Sequence, residues 1–250
     1  MAKTILITGA TSGFGKACAE LFAQNGWKMI LTGRRADRLF ELRDRLGAAT
    51  VHAAVFDVRD RHQAESMVQG LPEGFREIDI LLNNAGLALG LCPAQEADLD
   101  EWETMVDTYI KGLLYMTRLL LPGMVARGRG HIINLGSVAG SWPYPGGNTY
   151  GATKAFVQQF SRNLRADLHG TGIRVTNIEP GIAESEFSLV RLGGDKEKAA
   201  KVYEGTDPLT PQDIAEIIFW TARRPAHVNI NCVEVMPVCQ SWGSFPIARK

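Results

Sequence analysis

The chain has 250 residues, and its 27 lysine and arginine residues balance 27 aspartate and glutamate residues, so the formal net charge is zero. That length suits one α/β domain, and hydrophobic and charged fractions of 45% and 22% argue against a disordered chain or a coiled coil. The neutral balance gives no electrostatic reason to expect nucleic acid or an anionic membrane as a partner.

No sequence feature indicates secretion, membrane insertion or metal binding. The cysteines form no CxxC pair and have no histidine at metal-ligand spacing; they are Cys18, Cys92, Cys232 and Cys239. Residues 1–9 are too short for a signal peptide and run straight into a glycine loop, and no apolar stretch reaches about 18 residues. We therefore expect a cytoplasmic protein with reduced thiols, no bound metal and no membrane partner.

Short runs rich in Ile, Leu and Val alternate with amphipathic stretches along the chain. Most are apolar at consecutive positions, which is typical of strands buried on both faces of a parallel sheet. The predicted strands are Thr4–Thr8, Lys28–Thr32, Val51–Val58, Ile78–Leu82, Gly130–Leu135, Ile173–Ile178 and Val228–Met236. The clearest predicted helices are Lys16–Asn25, Glu101–Val125 and Lys154–Leu168.

This alternation predicts a single α/β domain with a doubly wound, mostly parallel seven-stranded sheet and helices on both faces. Such sheets bind ligands at the carboxyl ends of their strands. One irregular segment, residues 183–210, interrupts the pattern late in the chain, and its position predicts a lid over the site.

A glycine loop follows the first predicted strand and precedes a helix. Glycine permits the tight turn and the close backbone approach by which a pyrophosphate reaches the amides of the helix N-terminus. A glycine motif alone is weak evidence, but the strand before it and the helix after it supply the required context. The loop residues expected at the cofactor are Gly9, Thr11, Ser12, Gly13, Phe14 and Gly15.

Two arginines, Arg34 and Arg35, follow the second predicted strand. A site specific for NAD(H) usually has an acidic residue here, which accepts hydrogen bonds from the ribose 2′-hydroxyl. Guanidinium groups instead favour a 2′-phosphate through charge-assisted bonds, although arginines also occur in solvated turns. The position favours NADP(H).

Tyr150 and Lys154 stand four residues apart at the predicted start of a helix, and Ser137 follows the fifth predicted strand. Hydride transfer between an alcohol and a carbonyl needs a proton donor in one direction and a base in the other. A free tyrosine has a pKa of about 10, and a neighbouring ammonium favours its phenolate. A serine hydroxyl can hold the substrate oxygen, so the three residues together predict a catalytic site.

Five motifs occur in an order that identifies a family. They are Gly9-x-x-x-Gly13-x-Gly15, Asn83-Asn-Ala-Gly86, Ser137, Tyr150-x-x-x-Lys154 and Pro180-Gly181. On these motifs, which cover nearly the whole chain, the sequence resembles the short-chain dehydrogenase/reductase family. The resemblance implies a Rossmann-type sheet, a homotetramer, a nicotinamide cofactor and oxidation or reduction at a CH–OH group.

The resemblance also implies roles for individual residues. Tyr150 is the acid/base, and Lys154 binds the nicotinamide ribose and lowers the pKa of the tyrosine. The remaining cofactor contacts that it implies are Asp57 and Val58 at the adenine, Asn84, Ala85 and Gly86 after the central strand, Pro180 and Gly181, and Ile182 and Ser185 at the nicotinamide carboxamide.

One position departs from the family pattern. The family often has an asparagine three residues before the glycine of the motif that reads Tyr109-Ile-Lys-Gly112 here. That asparagine is thought to position a water in the proton relay behind the lysine. A tyrosine does not reproduce the geometry of an amide, although its hydroxyl can bind a water. We expect an altered relay in a working enzyme; the rival hypothesis is a noncatalytic NADP(H)-binding regulator.

Further segments resemble the NADP-dependent branch that oxidises 3-hydroxy acids such as serine and allo-threonine, and also the similar sulfoacetaldehyde reductases. They include Trp142-Pro-Tyr-Pro-Gly-Gly-Asn148, Glu186-Phe-Ser188 and 226–231. Both substrate types are small and anionic, so they need a cation or several donors. We expect Arg191 to bind the anion and Asn148 to contact the substrate beside Ser137 and Tyr150, although a solvated arginine and a loop-forming asparagine are equally good interpretations. A bulky lipid or steroid fits the charged lid poorly.

The C-terminal residues 240–250 carry Trp242, Phe245 and Pro246, which are too apolar for a free end. They are expected to pack either on another subunit or on their own core.

Overall fold

The computed structural model describes residues 2–243 and residue 247. In this part of the chain seven strands form one sheet, and each neighbouring pair is parallel. The strands are β1 Thr4–Ile7, β2 Lys28–Gly33, β3 Val51–Val55, β4 Ile80–Asn83, β5 Gly130–Leu135, β6 Ile173–Pro180 and β7 Cys232–Val235. The α-helices are α1 Gly13–Gln24, α2 Ala36–Leu46, α3 Arg61–Gln69, α4 Leu99–Val106, α5 Leu113–Ala126, α6 Asn148–Asp167, α7 Glu186–Arg191, α8 Lys196–Tyr203 and α9 Pro211–Ala222.

The strand order is β3-β2-β1-β4-β5-β6-β7, which confirms the doubly wound sheet. The chain builds outward from β1 to β3 and then returns to place β4 on the other side of β1. The connections after β1 and β4 therefore diverge and leave a crevice at the carboxyl ends of these strands. This crevice positions the candidate site.

Both faces of the sheet are covered, which explains the continuous apolar runs of the strands. Ile5 and Ile7 pack on one face in a buried cluster that includes Phe22 of α1. Leu6 points to the other face, into a cluster that includes Met116 of α5.

Two predicted strands are shorter than expected. β3 ends at Val55 because the chain turns at Asp57, whose carboxylate accepts a 3.0 Å hydrogen bond from the Arg59 amide. β7 begins at Cys232 because the side chain of Asn229 takes the place of strand backbone: its amide group accepts from Val175 N at 2.8 Å and donates to Val175 O at 2.9 Å.

The predicted helix Glu101–Val125 is divided by a π-helical segment, Asp107–Gly112, between α4 and α5. A π-helical turn is wider than an α-helical one, and residue periodicity does not predict it. Helix α6 begins at Asn148, so it contains both Tyr150 and Lys154. No helix in the described residues combines the length and apolarity needed to cross a membrane.

Candidate active site

A cleft opens at the carboxyl ends of the strands. It measures about 1520 Å³ with the open space at its mouth. Most of the predicted site residues line it: Gly9, Thr11, Ser12, Gly13, Phe14, Arg34, Arg35, Asp57, Val58, Asn84, Ala85, Gly86, Ser137, Tyr150, Lys154, Pro180, Gly181 and Ser185. The fold thus brings the glycine loop, the basic turn and the Ser–Tyr–Lys set to one cleft.

Four predicted residues do not line the cleft; besides Arg191 they are Gly15, Ile182 and Asn148, which shape its surroundings. A Cβ on Gly15 would fall 2.4 Å from the Gly9 carbonyl oxygen, so this glycine allows α1 to approach the loop. The amide of Ile182 donates to Gln240 Oε1 at 2.7 Å. Asn148 donates from its side chain to the Cys92 carbonyl at 3.3 Å, and no contact supports its predicted substrate role.

The glycine loop has the geometry that a phosphate requires. Gly9 and Gly13 have φ angles of +67° and +50°, and a Cβ on Gly9 would fall 2.8 Å from Ala85 Cα. Ser12 precedes α1 and makes no side-chain cap hydrogen bond. The first amides of the helix are therefore available to an anion approaching the loop. Asn84 Nδ2 donates to Thr8 O at 2.7 Å and so fixes the position of the loop.

The two arginines after β2 differ in their surroundings. The Arg34 side chain is 58% exposed, with Nη1 3.7 Å from an Asp57 carboxylate oxygen. Arg35 is already engaged: it donates to Thr11 Oγ1 at 2.8 and 3.0 Å, to Ser12 Oγ at 2.7 Å and to Glu186 Oε2 at 2.8 Å. Arg34 is the guanidinium more open to a ligand.

In the Ser–Tyr–Lys set, Tyr150 and Lys154 are buried and Ser137 is half-buried. The Ser137 hydroxyl donates to the Pro180 carbonyl at 3.4 Å, and the Ser137 and Tyr109 hydroxyls both favour the phenolate of Tyr150. Burial and, after it, the Tyr144 phenol raise the pKa of Tyr150 above its usual value. The Ser137 hydroxyl, the charge of Arg191 and the Tyr109 hydroxyl lower it by less. Burial lowers the pKa of the neighbouring Lys154 amine to about 7, because desolvation disfavours its charged form. Near neutral pH the phenol of Tyr150 therefore keeps its proton, whereas the Lys154 amine titrates in that range.

Tyr109, the residue that departs from the family pattern, is buried and lines the cleft beside Tyr150 and Lys154. Its ring meets the Tyr150 ring edge-on, with centroids 5.8 Å apart. Lys154 Nζ lies 3.9 Å from the centroid of the Tyr109 ring. Room for the ring comes from Gly86, where a Cβ would fall 2.2 Å from Tyr109 Cε1.

Segment 183–210 brings α7 against Tyr150. Phe187 packs on Tyr150 with ring centroids 5.6 Å apart. The Arg191 guanidinium lies 5.5 Å from the Tyr150 ring centroid, although Arg191 itself does not line the cleft. It donates to Gly90 O at 3.2 Å and to the Tyr144 hydroxyl at 2.8 Å.

Sequence reasoning assigned no role to several residues of the lining: Gly33, Phe56, Leu87, Thr108, Leu135, Gly136, Ala183, Glu186, Phe187 and Val190. Glu186 and Phe187 belong to a segment that resembles the 3-hydroxy acid branch, and this resemblance could have indicated their place in the site. The others are short or apolar residues without a chemical signature.

Away from the cleft, part of the predicted C-terminal tail packs on its own chain. Trp242 Nε1 donates to Glu234 Oε1 at 2.7 Å, whereas Phe245 and Pro246 lie outside the described residues. The four cysteines are free thiols. In the described part of the chain, no three His, Cys, Asp or Glu side chains are placed to hold a metal ion.

The chain is similar to known proteins over nearly its whole length. A family model described as short chain dehydrogenase matches residues 3–191. The chain is 61% identical over 246 residues to the NADP-dependent 3-hydroxy acid dehydrogenase YdfG of Salmonella typhi, covering 98% of this chain and 99% of the relative. It is 56% identical over 251 residues to sulfoacetaldehyde reductase 2 of Chromohalobacter salexigens, covering all of both chains.

The fold also matches a solved structure of the closed form of serine dehydrogenase complexed with NADP+. The TM-score is 0.95 and the identity 57%, with 99% of this chain and all of that chain covered. The resemblance found on the sequence motifs is therefore confirmed, and the chain belongs to the short-chain dehydrogenase family.

Proposed function

We propose that this protein is an NADP(H)-dependent oxidoreductase that interconverts an alcohol and a carbonyl on a small anionic substrate, a 3-hydroxy acid such as serine or allo-threonine. The observation that carries the proposal is the Arg191 guanidinium, 5.5 Å from the Tyr150 ring. It places a fixed cation beside the predicted proton acceptor, where the carboxylate of a short substrate can reach it. Segment 183–210, which carries Arg191, acts as the lid.

The residues present fit an NADP molecule. Glycines with positive φ and the open first turn of α1 suit a pyrophosphate, and a side chain on Gly9 would close that approach. The exposed guanidinium of Arg34 suits a 2′-phosphate. When bound, the cofactor supplies the acceptor or donor of the hydride. Lys154, Ser185 and the segment around Pro180 and Gly181 would hold its nicotinamide end.

The chain's own residues then handle the proton. In oxidation, the phenolate of Tyr150 takes the proton of the substrate hydroxyl, and Ser137 holds the same oxygen as charge develops on it. The Lys154 ammonium stabilises the phenolate. In reduction, Tyr150 returns a proton to the alkoxide.

A sulfonated aldehyde is the second candidate substrate. The 56% identical sulfoacetaldehyde reductase motivates it, and a guanidinium binds a sulfonate as well as a carboxylate. Comparing turnover of L-serine with turnover of sulfoacetaldehyde distinguishes the two substrates.

We further propose a cytoplasmic homotetramer, as the family resemblance implies. Supporting an assembly, β7 forms one edge of the sheet, and the Trp220 side chain on the nearby α9 is about half exposed. Light scattering on the purified protein tests the tetramer, and fractionation of cells tests the location.

The proposed activity is tested by following NADP(H) absorbance with L-serine and NADP+, and with sulfoacetaldehyde and NADPH, beside NAD(H) controls. We expect turnover with one of the two substrates and a strong preference for NADP(H). Tyr150→Phe should reduce turnover by roughly 10²- to 10⁴-fold while leaving cofactor binding intact. Cofactor binding without turnover of either compound would instead favour the noncatalytic regulator.

A further inference from the structure

Lys154 is a buried cation with few partners. Its side chain is 4% exposed, and Nζ donates to the Leu135 carbonyl at 2.7 Å. Among the described residues, the lysines that form ion pairs are the exposed Lys111 and Lys198. One neutral carbonyl is weak compensation for a buried ammonium, which loses its hydration.

Two aromatic rings lie near this ammonium: the Tyr150 ring, with its centroid 5.7 Å from Nζ, and the closer ring of Tyr109. Nζ lies 3.9 Å from the ring centroid, well within the range of about 6 Å in which a ring attracts a cation, and desolvation strengthens the attraction. The ring cannot easily move away, because it is buried, packs edge-on against Tyr150 and fills the space beside Gly86. Tyr109 is one of the buried residues of the π-helical segment Asp107–Gly112.

We propose that Tyr109 is a positioning residue whose aromatic face holds the Lys154 ammonium beside Tyr150, and that this dry contact replaces the amide of the family pattern. The effect of this contact on catalysis rests on the proposed function. The charge of Lys154, by contrast, can be measured without turnover.

Other groups that influence the same pair are few. The Tyr144 phenol and the Arg191 guanidinium face Tyr150 from the loop before α6 and from α7, and Ser137 faces it from the end of β5. These groups are the same in Tyr109→Phe and Tyr109→Leu, so they do not contribute to a difference in Lys154 titration between the two variants.

The test compares Tyr109→Phe, which keeps the ring, with Tyr109→Leu, which removes it. Neither variant has the hydroxyl, so its effect on Tyr150 cancels in the comparison. The pH titration of Lys154 is followed by NMR in cofactor-free protein with ¹³C at lysine Cε, and the Lys154 signal is assigned by its loss in Lys154→Arg. We expect Lys154 to titrate about one pH unit lower in the leucine variant than in the phenylalanine variant.

Equal titration in the two variants would overturn the proposal. If Tyr109→Leu does not fold, Tyr109→Met serves in its place, since methionine fills the space without an aromatic face. In the active enzyme, the acidic limb of kcat/KM for oxidation should lie at higher pH in the leucine variant than in the phenylalanine variant. Absence of turnover on every substrate would contradict the proposed function, and the NMR titration would still decide the role of Tyr109.

Discussion

The carboxylate of Glu186 accepts hydrogen bonds from Arg35 and Arg38, each at 2.8 Å, and so ties α7 to the basic turn after β2. The same Arg35 guanidinium donates to Thr11 and Ser12 of the glycine loop. One cation therefore joins the lid to the loop that is proposed to hold the pyrophosphate. The Arg35 and Arg38 bonds hold the pKa of Glu186 below its usual value despite partial desolvation, so Glu186 is charged at neutral pH.

Glu186→Gln should strengthen NADP+ binding. A bound 2′-phosphate has to share Arg35 with the Glu186 carboxylate and is repelled by its charge. These pairs are about 40% exposed, so the change should be modest, about two- to fivefold in Kd at low ionic strength. Isothermal calorimetry with NADP+ and NAD+ measures it, with no change expected for NAD+. Glu184→Gln, at an exposed neighbouring carboxylate, is the control, and an equal effect there would contradict the competition.

Arg191→Gln should reduce kcat/KM for the anionic substrate by about 10- to 100-fold, the usual effect of losing a charge-assisted hydrogen bond in a site. The Kd of NADP+ should stay unchanged, because Arg191 does not line the cleft at the glycine loop or the basic turn. Steady-state kinetics with fluorescence titration of the cofactor separates these effects. Arg223→Gln, at the residue that follows α9, is the matched control. Parallel losses of substrate turnover and cofactor affinity would show that Arg191 only supports the lid.

Gly86→Ala should destabilise the protein, because the new Cβ would fall 2.2 Å from a carbon of the Tyr109 ring. Overpacking of this kind costs about 1–3 kcal/mol. In a Tyr109→Asn background the ring is gone, so the same substitution should cost much less, and a double-mutant cycle by thermal denaturation measures the coupling. Gly74→Ala, where a Cβ meets only Lys28 Nζ at 3.7 Å, is the control. Additive costs in the cycle would mean that the two residues are not in contact.

The sequence predicted the parts of the fold that depend on local pattern. β5 has the predicted bounds, because Ile132, Ile133 and Leu135 form the apolar run expected of a strand that is covered on both faces. The glycine loop was predictable for a similar reason, since positive φ angles at Gly9 and Gly13 demand a particular residue type. In both cases the residue identity is itself the consequence of the local geometry.

The remaining features depend on contacts between distant residues. The π-helical segment holding Tyr109 has the same apolar pattern as an α-helix, so nothing in the sequence signals its wider turn. Likewise, Arg35 and Glu186 are 151 positions apart, and their pairing follows only from the way α7 folds over the cleft. The departure at Tyr109 was visible in the sequence, but its contact with Lys154 was not.

The stability of the protein should depend on pH through Lys154. Its pKa is lowered by burial to about 7 in the folded state, against 10.5 for an unperturbed lysine. Between these two values the unfolded state binds more protons than the folded state, so the free energy of unfolding rises with pH. Relative to Lys154→Met, which lacks this group, the natural protein should gain about 1.4 kcal/mol per pH unit in this range, and the gain should stop above the unfolded pKa.

Urea denaturation of both proteins at a series of pH values measures this difference directly. Comparing the two cancels the other groups that titrate in the same range. Lys196→Met, at an exposed lysine at the start of α8, should show no such dependence relative to the natural protein. A difference that stays flat from neutral pH upward would mean that Lys154 keeps its proton in the folded state. In that case the Leu135 carbonyl and the Tyr109 ring compensate fully for the lost hydration of the ammonium.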